Sequence, residues 1–221
     1  MSLSVIIPTL NAAGSLPGTL ARLDGVDEVI VVDGGSADGT VELASRLGAR
    51  AMAAPRGRGR QLMAGAEAAL GDWLLLLHAD TRLDPGWRAA VETFRVDPAN
   101  RSKAAVFLFA LDDPSTEARR LERLVAWRVR WMGLPYGDQG LLISRDFYRS
   151  LGGFRPLPLM EDVDLVRRIG RRRLVILPVA ARTSAARWRR DGWIRRSLRN
   201  LVCLALYFLG APPRLIQRLY G

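Results

Sequence analysis

Three short clusters of this sequence hold side chains able to do chemistry. The first is Val31-Val32-Asp33-Gly34-Gly35-Ser36-Ala37-Asp38-Gly39-Thr40, which ends an apolar run on an aspartate and follows it with glycines. Asp33 can accept hydrogen bonds from a ribose or a base, and Gly35 lets the backbone pass close to a ligand. Ser36 and Asp38 equally suit caps for a helix opening near Thr40. The second cluster is Leu77-His78-Ala79-Asp80-Thr81. Asp80 can hold a divalent cation that shares its other positions with phosphate and water. His78 reads as a metal ligand, a phosphate donor or a satisfied histidine at the core edge. With one histidine and one cysteine in the chain, a zinc set is excluded. The third cluster is Met160-Glu161-Asp162-Val163-Asp164. Acids at a helix start are stabilised by the helix dipole, and one of these can also take a proton from an acceptor hydroxyl.

Arginines complete the chemistry. Pro55-Arg56-Gly57-Arg58-Gly59-Arg60 lacks the spacing and lysine of a Walker loop, and no GxGxxG occurs. Alternating glycine and arginine nevertheless wraps a diphosphate well, because guanidinium forms bidentate charge-assisted bonds to phosphate. RNA would satisfy the same residues.

Short apolar strands alternating with helices must position these clusters. Strands are expected at Ser4 to Thr9, Glu28 to Val32, Ala49 to Ala53, Trp73 to Leu77, Ala104 to Leu111, Gln139 to Ser144 and Leu174 to Val179. The intervening helices run from Leu16 to Leu23, Thr40 to Leu47, Gln61 to Leu70, Trp87 to Phe94, Glu117 to Trp131, Arg145 to Ser150 and Val163 to Ile169. Strands apolar on both faces and separated by helices predict an α/β fold, a Rossmann-like and mostly parallel sheet covered on both sides. Ligands then bind at the carboxyl ends of strands, where the first two clusters fall.

At 221 residues the chain suits one domain. It divides into a catalytic part at 1–184 and a basic, apolar helical extension at 185–221. MSLSVIIPTL reads as a strand rather than a leader, and the lone Cys203 fits a cytoplasmic protein. The formal charge is +11, and it is uneven: from Arg119 onward 22 arginines face 7 acids, against 11 basic and 15 acidic residues before it. Such a half implies a polyanionic partner, whether phosphates, nucleic acid or an anionic membrane. The apolar run Leu201 to Leu209 is too short to span a bilayer. Beside it stand Trp188, Trp193, Tyr207 and Tyr220 and the arginines 187, 189, 190, 195, 196 and 199. That set predicts docking on the inner face of the cell membrane, or packing on the protein or on a second copy in a homodimer.

In their order these blocks resemble family 2 glycosyltransferases of the GT-A fold, in particular the short bacterial "transferase 2" proteins. The resemblance rests on Ser4 to Asn11, Val31 to Thr40, Leu77 to Thr81, Gly137-Asp138-Gln139-Gly140, Gly152-Gly153-Phe154 and Glu161 to Leu165. It implies that the Pro8-Thr9-Leu10-Asn11 segment and Asp33 contact the nucleoside. It places the family's DxD motif at His78-Ala79-Asp80, with Asp80 as the metal-binding acid and His78 in the position of the first acid. Glu161 and Asp162 match the catalytic pair, with Asp162 as the base. The glutamine of the processive Gln-x-x-Arg-Trp signature is absent ahead of Arg187-Trp188.

The resemblance therefore implies an inverting transfer from a nucleoside-diphosphate sugar, UDP-linked by preference. The acceptor is a hydroxyl, lipid-linked if the C-terminus docks on a membrane, and Mg²⁺ or Mn²⁺ serves as cofactor. Arg56, Arg58 and Arg60 would help bind the diphosphate, and nucleic acid is not the expected partner. Two other readings use the same residues: a nucleotidyltransferase, and a non-catalytic RNA- or membrane-binding protein.

Overall fold

Val5 and Ile7 point to one side of the first strand and Ile6 to the other, and all three are fully buried. That alternation is repeated along the sheet and generates two cores. Ile6, Ile30, Val32, Leu74, Leu76 and Val106 face one cluster, and Val5, Ile7, Val31, Leu75, Phe107 and Leu142 face the other.

The computed structural model describes residues 1–220. The strands are β1 (Leu3–Thr9), β2 (Glu28–Asp33), β3 (Arg50–Ala53), β4 (Trp73–Leu76), β5 (Thr81–Leu83), β6 (Ala104–Leu111), β7 (Leu141–Ser144) and β8 (Leu174–Thr183). Helices α1 (Leu16–Leu20), α2 (Thr40–Arg46) and α4 (Trp87–Val96) cover one face. Helices α3 (Arg58–Ala68), α5 (Thr116–Met132), α6 (Arg145–Ser150) and α7 (Glu161–Ile169) cover the other. The α3 helix lies very close to the sheet: a Cβ on Gly65 would stand 2.5 Å from Ile6 Cγ2.

The strands form one sheet in the order β3-β2-β1-β4-β7-β6-β8-β5, which is α/β as expected but mixed rather than mostly parallel. The pairs β3–β2, β2–β1, β1–β4 and β6–β8 are parallel, whereas β4–β7, β7–β6 and β8–β5 are antiparallel. Apolar periodicity reports burial on both faces and carries no information about strand direction. β7 follows the long α5 and enters the sheet from the opposite end. β5 has only three residues, too few for a period, yet it ties the loop after β4 to the end of β8 through Thr81–Thr183.

Three helices close the chain: α8 (Ala186–Asp191), α9 (Trp193–Phe208) and α10 (Pro213–Tyr220). Cys203, Leu204 and Ile216 pack with Val163, Leu134 and Leu159 in a third cluster. Asp191 joins α8 to α9 by accepting from Arg196 at 2.7 Å and Arg199 at 2.8 Å. The aromatic residues expected at a membrane are instead used in packing. Trp188 and Trp193 stack at 5.9 Å against the first core cluster, and Tyr207 and Tyr220 pack on the third. No helix among the described residues is long and apolar enough to cross a membrane.

Candidate active site

Parallel β1 and β2 bring Thr9 and Asp33 side by side at their carboxyl ends. Asp33 is 3% exposed, and its carboxylate is taken up internally. It accepts from Thr9 Oγ1 at 2.9 Å, the Gly35 amide at 2.9 Å, the Ser36 amide at 2.7 Å and the Ser36 hydroxyl. Burial alone would push this carboxyl up, but the bonds from Ser36, Thr9 and Gly35 outweigh it and hold the group below its ordinary range. Asn11, in the left-handed region at φ 51°, accepts from the Ala37 amide and donates its own amide to Ser36. Asp38 bonds Thr40 and the Ala13 amide. The loops after β1 and β2 are thus one cross-linked unit.

Gln61 on α3 completes this unit, its amide donating to the Thr9 and Val32 carbonyls at 2.7 and 2.8 Å. Gln61 was not singled out in the sequence, and a polar residue at the start of a helical pattern carries no signal of that kind.

A cavity of about 900 Å³ opens in front of this unit. Pro8, Thr9, Asn11 and Gln61 line it from the sheet side, and Arg56, Arg58, Arg60, Arg187 and Arg214 surround it, with Asp80 as its single acid among the described residues. Asp33 and Gly35 do not line it: they stand behind the surface, shaping the loop, where the sequence led us to expect direct contact.

Arg58 lies at the junction of this cleft with a second, smaller cavity of about 100 Å³. Its Nε is 3.0 Å from Glu161 Oε1. The N–H does not point at that oxygen, which has no aligned donor, so the contact is an ion pair rather than a hydrogen bond. Glu161 is 1% exposed. Burial pushes its carboxyl above the ordinary range, against the pull of Arg58, and the neighbouring Asp162 adds to the rise. Glu161 is thus a buried acid paired with Arg58.

Arg58 Nη1 stands 3.2 Å from His78 Nε2. Guanidinium has no acceptor, so Nε2 accepts and the ring proton sits on Nδ1. Burial, followed by the charge of Arg58, pulls His78 down to about 3, and the ring is neutral at physiological pH. Its Nε2 lone pair is spent on Arg58, which leaves Nδ1–H as the group it can offer a ligand.

The small cavity gathers four acids, Asp80, Asp138, Glu161 and Asp162, beside Arg58, Arg187 and Arg196. Asp162 lies in the first turn of α7, with Oδ1 accepting from the Val163 amide at 2.8 Å and Oδ2 from the Gly137 amide at 2.7 Å. Each oxygen keeps a second lone pair. The Gly137–Gln139 turn must approach closely, because a Cβ on Gly137 would lie 2.7 Å from His78 Nε2. That turn presents Asp138, whose Oδ1 is buried without a partner. Burial pushes Asp138 up to about 6, Arg128 opposes the rise, and the charges of Asp162 and Asp80 add to it. Asp138 lies in the Gly137-Asp138-Gln139-Gly140 block, and its type and place in the sequence point to no site role. An acid after a long basic helix looks like a surface turn until the sheet folds it inward.

Asp80 borders both cavities. The Ser184 amide and Thr183 hydroxyl bond its carbonyl, and among the described residues no donor reaches its carboxylate. Nor is there, among the described residues, a group of three acids, histidines or cysteines that could enclose a metal. One open carboxylate between an arginine-rich cleft and an acid pocket fits an octahedral cation that takes most of its ligands from a diphosphate and water.

Set against known proteins, the chain matches the family described as Glycosyl transferase family 2 over residues 4–133, more than half its length. It is 36% identical over 86 residues to an uncharacterized glycosyltransferase of Mycobacterium tuberculosis, a match spanning 38% of this chain and 39% of the relative. It is 38% identical over 91 residues to a PGL/p-HBAD biosynthesis glycosyltransferase of the same organism, spanning 36% of each. Among solved structures, glucosyl-3-phosphoglycerate synthase from M. tuberculosis, in complex with Mn²⁺, UDP and glucosyl-3-phosphoglycerate, superposes with a TM-score of 0.64 at 20% identity. That match covers 96% of this chain and 81% of the synthase. TarS of S. aureus gives a TM-score of 0.64 at 17% identity, covering 93% of this chain and 40% of that one. These likenesses establish a GT-A-type fold.

Proposed function

The chain belongs to glycosyl transferase family 2, and from that premise we propose that it moves a sugar from a nucleoside-diphosphate sugar to an acceptor hydroxyl, inverting the anomeric carbon. One observation carries this reading. A cleft of about 900 Å³ with five arginines and one acid meets a four-acid pocket at Arg58, His78, Asp80 and Arg187. An anionic donor and a group that gives up a proton are thereby seated side by side. The UDP and Mn²⁺ held by the structurally similar synthase favour a UDP-linked donor here.

The residues divide the work. The cross-linked loops after β1 and β2 offer a fixed wall to the nucleoside, with Pro8, Thr9 and Asn11 on its surface. Arg56, Arg60 and Arg214 face the diphosphate, and Arg58 is held toward the junction by Glu161. Asp80 would hold Mg²⁺ or Mn²⁺, which when bound neutralises charge on the diphosphate. Asp162 takes the proton of the acceptor hydroxyl through an unused lone pair, while the Gly137 and Val163 amides fix its orientation. As the acceptor oxygen bonds to the anomeric carbon, the bond to the diphosphate breaks and its electrons leave with the phosphate, beside the arginines. A lipid-linked acceptor would suit this site if the C-terminal helices dock on the cytoplasmic face of a membrane.

The test is turnover of UDP-sugars with Mn²⁺ or Mg²⁺, read as UDP release, against NTP plus sugar 1-phosphate, read as pyrophosphate. UDP release that falls by roughly 10²–10⁴ in Asp162→Asn, with UDP affinity retained, is the expected result. Pyrophosphate release without UDP release would make the protein a nucleotidyltransferase. Near-normal turnover of the variant would remove Asp162 from the role of base.

A further inference from the structure

Helix α9 is apolar on two sides and buries only one. Cys203 and Leu204 turn inward to the third cluster. Ile194 (84% exposed), Leu198, Leu201, Val202, Phe208 and Leu209 (82%) remain outside. At 100° per residue these six positions fall within one stripe about 120° wide, and from Ile194 to Leu209 the stripe is about 22 Å long. Continuous apolar surface of this kind marks a contact site.

Its surroundings choose the occupant. Arg195 lies at the border of the stripe, exposed and, among the described residues, without an acid in reach. The following helix α10 adds exposed Leu215 and Leu219 beside exposed Arg218. Across the third cluster, Leu134 brings the end of α5 to α9. On α5, Leu124, Trp127 and Trp131 are 65%, 58% and 60% exposed at i, i+3 and i+7 spacing, and exposed Arg120 precedes them by one turn. A surface of leucines and tryptophans edged by unpaired arginines matches the boundary of an anionic bilayer, where acyl chains meet negative headgroups. A second copy of this chain would bring the same arginines against each other.

We infer that the outer faces of α9, α10 and α5 form a peripheral docking surface for an anionic phospholipid membrane. The residues differ from those the sequence suggested. Trp188, Trp193, Tyr207 and Tyr220 are packed, Arg189 is tied to Asp113, and Arg190, Arg196 and Arg199 are tied to Asp191. The free aliphatic stripe and the tryptophans of α5 take their place. This inference extends the sugar-transfer reading to a partner but does not depend on it, because binding is measured without substrate.

The experiment is flotation of the full chain with vesicles of phosphatidylcholine alone or mixed with phosphatidylglycerol. Binding to the anionic vesicles that weakens at high salt is expected, because salt screens the arginines. Leu198→Asp/Leu201→Asp should reduce partitioning roughly tenfold or more, with thermal unfolding unchanged because both side chains are exposed. Trp127→Ala/Trp131→Ala should weaken it as well, and unchanged flotation of that variant would remove α5 from the surface. Intact protein that stays below anionic vesicles at low salt overturns the proposal. So does flotation that the α9 variant leaves untouched. Sedimentation showing a dimer that dissociates in the α9 variant, with no flotation, would assign the stripe to a second copy instead.

Discussion

Asp138→Asn should remove a pH dependence of stability that the wild-type protein carries. In an unfolded chain this carboxyl loses its proton near 3.8, whereas in the pocket it keeps it to about 6. The folded state therefore binds the extra proton across that window. Its contribution is complete below 3.8, is lost as pH rises through about 6, and is flat beyond. The interval corresponds to about 3 kcal/mol. Asp138 is only half-buried as a residue, so solvent screening trims the expected loss to about 1–2 kcal/mol. Asparagine keeps the shape and cannot ionise. Carboxyls held low by hydrogen bonds, such as Asp33 and Asp113, tilt the curve the other way but are common to both proteins, so the difference isolates Asp138. Urea unfolding at intervals from pH 4 to pH 7.5 should show the variant gaining on the wild type as pH rises. Parallel curves would mean that Asp138 ionises like a surface carboxyl and that the pocket does not desolvate it.

Two further changes test the supports of the site. Glu161→Gln strips a buried counter-ion from Arg58, a loss worth about 3–5 kcal/mol in a closed interior. The Arg58 side chain keeps 30% of its exposure, which lowers the expectation to about 2–3 kcal/mol in urea unfolding, and a cost below 1 would show that water already carries that charge. Asp33→Ala removes the acceptor of four hydrogen bonds and should lower stability and UDP affinity together. Calorimetry showing lost affinity at unchanged melting temperature would mean that Asp33 touches the nucleotide directly.

Much of this architecture was readable from apolar runs that stop at a polar residue. Ser4 to Thr9, Glu28 to Val32 and Trp73 to Leu77 each lie within two residues of an observed strand, because full burial on both faces leaves an unbroken aliphatic segment. Strand direction was not readable, and the antiparallel β7 is where the expected sheet fails. The helix of α3 begins at Arg58 rather than Gln61, so the glycine–arginine run is partly helical and only its start is a loop. That shift turns Arg58 inward to Glu161 and leaves Arg60 at the surface. Asp80 and Asp162, singled out by their places after a strand and at a helix start, both line the acid pocket. Asp33 lines neither cavity, and a strand-end aspartate looks the same in sequence whether it faces a ligand or its own loop. Gln61 and Asp138 owe their places to contacts 52 and 25 residues away in sequence, the second through the Gly137–Asp162 bond, and no local pattern encodes them.

The position of α10 bears on how the protein should be handled. Pro212, Pro213, Arg214 and Gln217 border the large cleft, and Tyr220 reaches the acid pocket. An affinity tag joined after this helix would crowd the pocket with its own charges. A polyhistidine tail is the worst choice, since it would compete for the cation proposed at Asp80. Met1 is exposed just ahead of β1, whose first residue, Leu3, stands about 20 Å from Thr9 along the strand. Purification handles and surface-immobilisation chemistry therefore belong ahead of β1, and a preparation tagged after α10 that lacks activity would not test the proposed transfer.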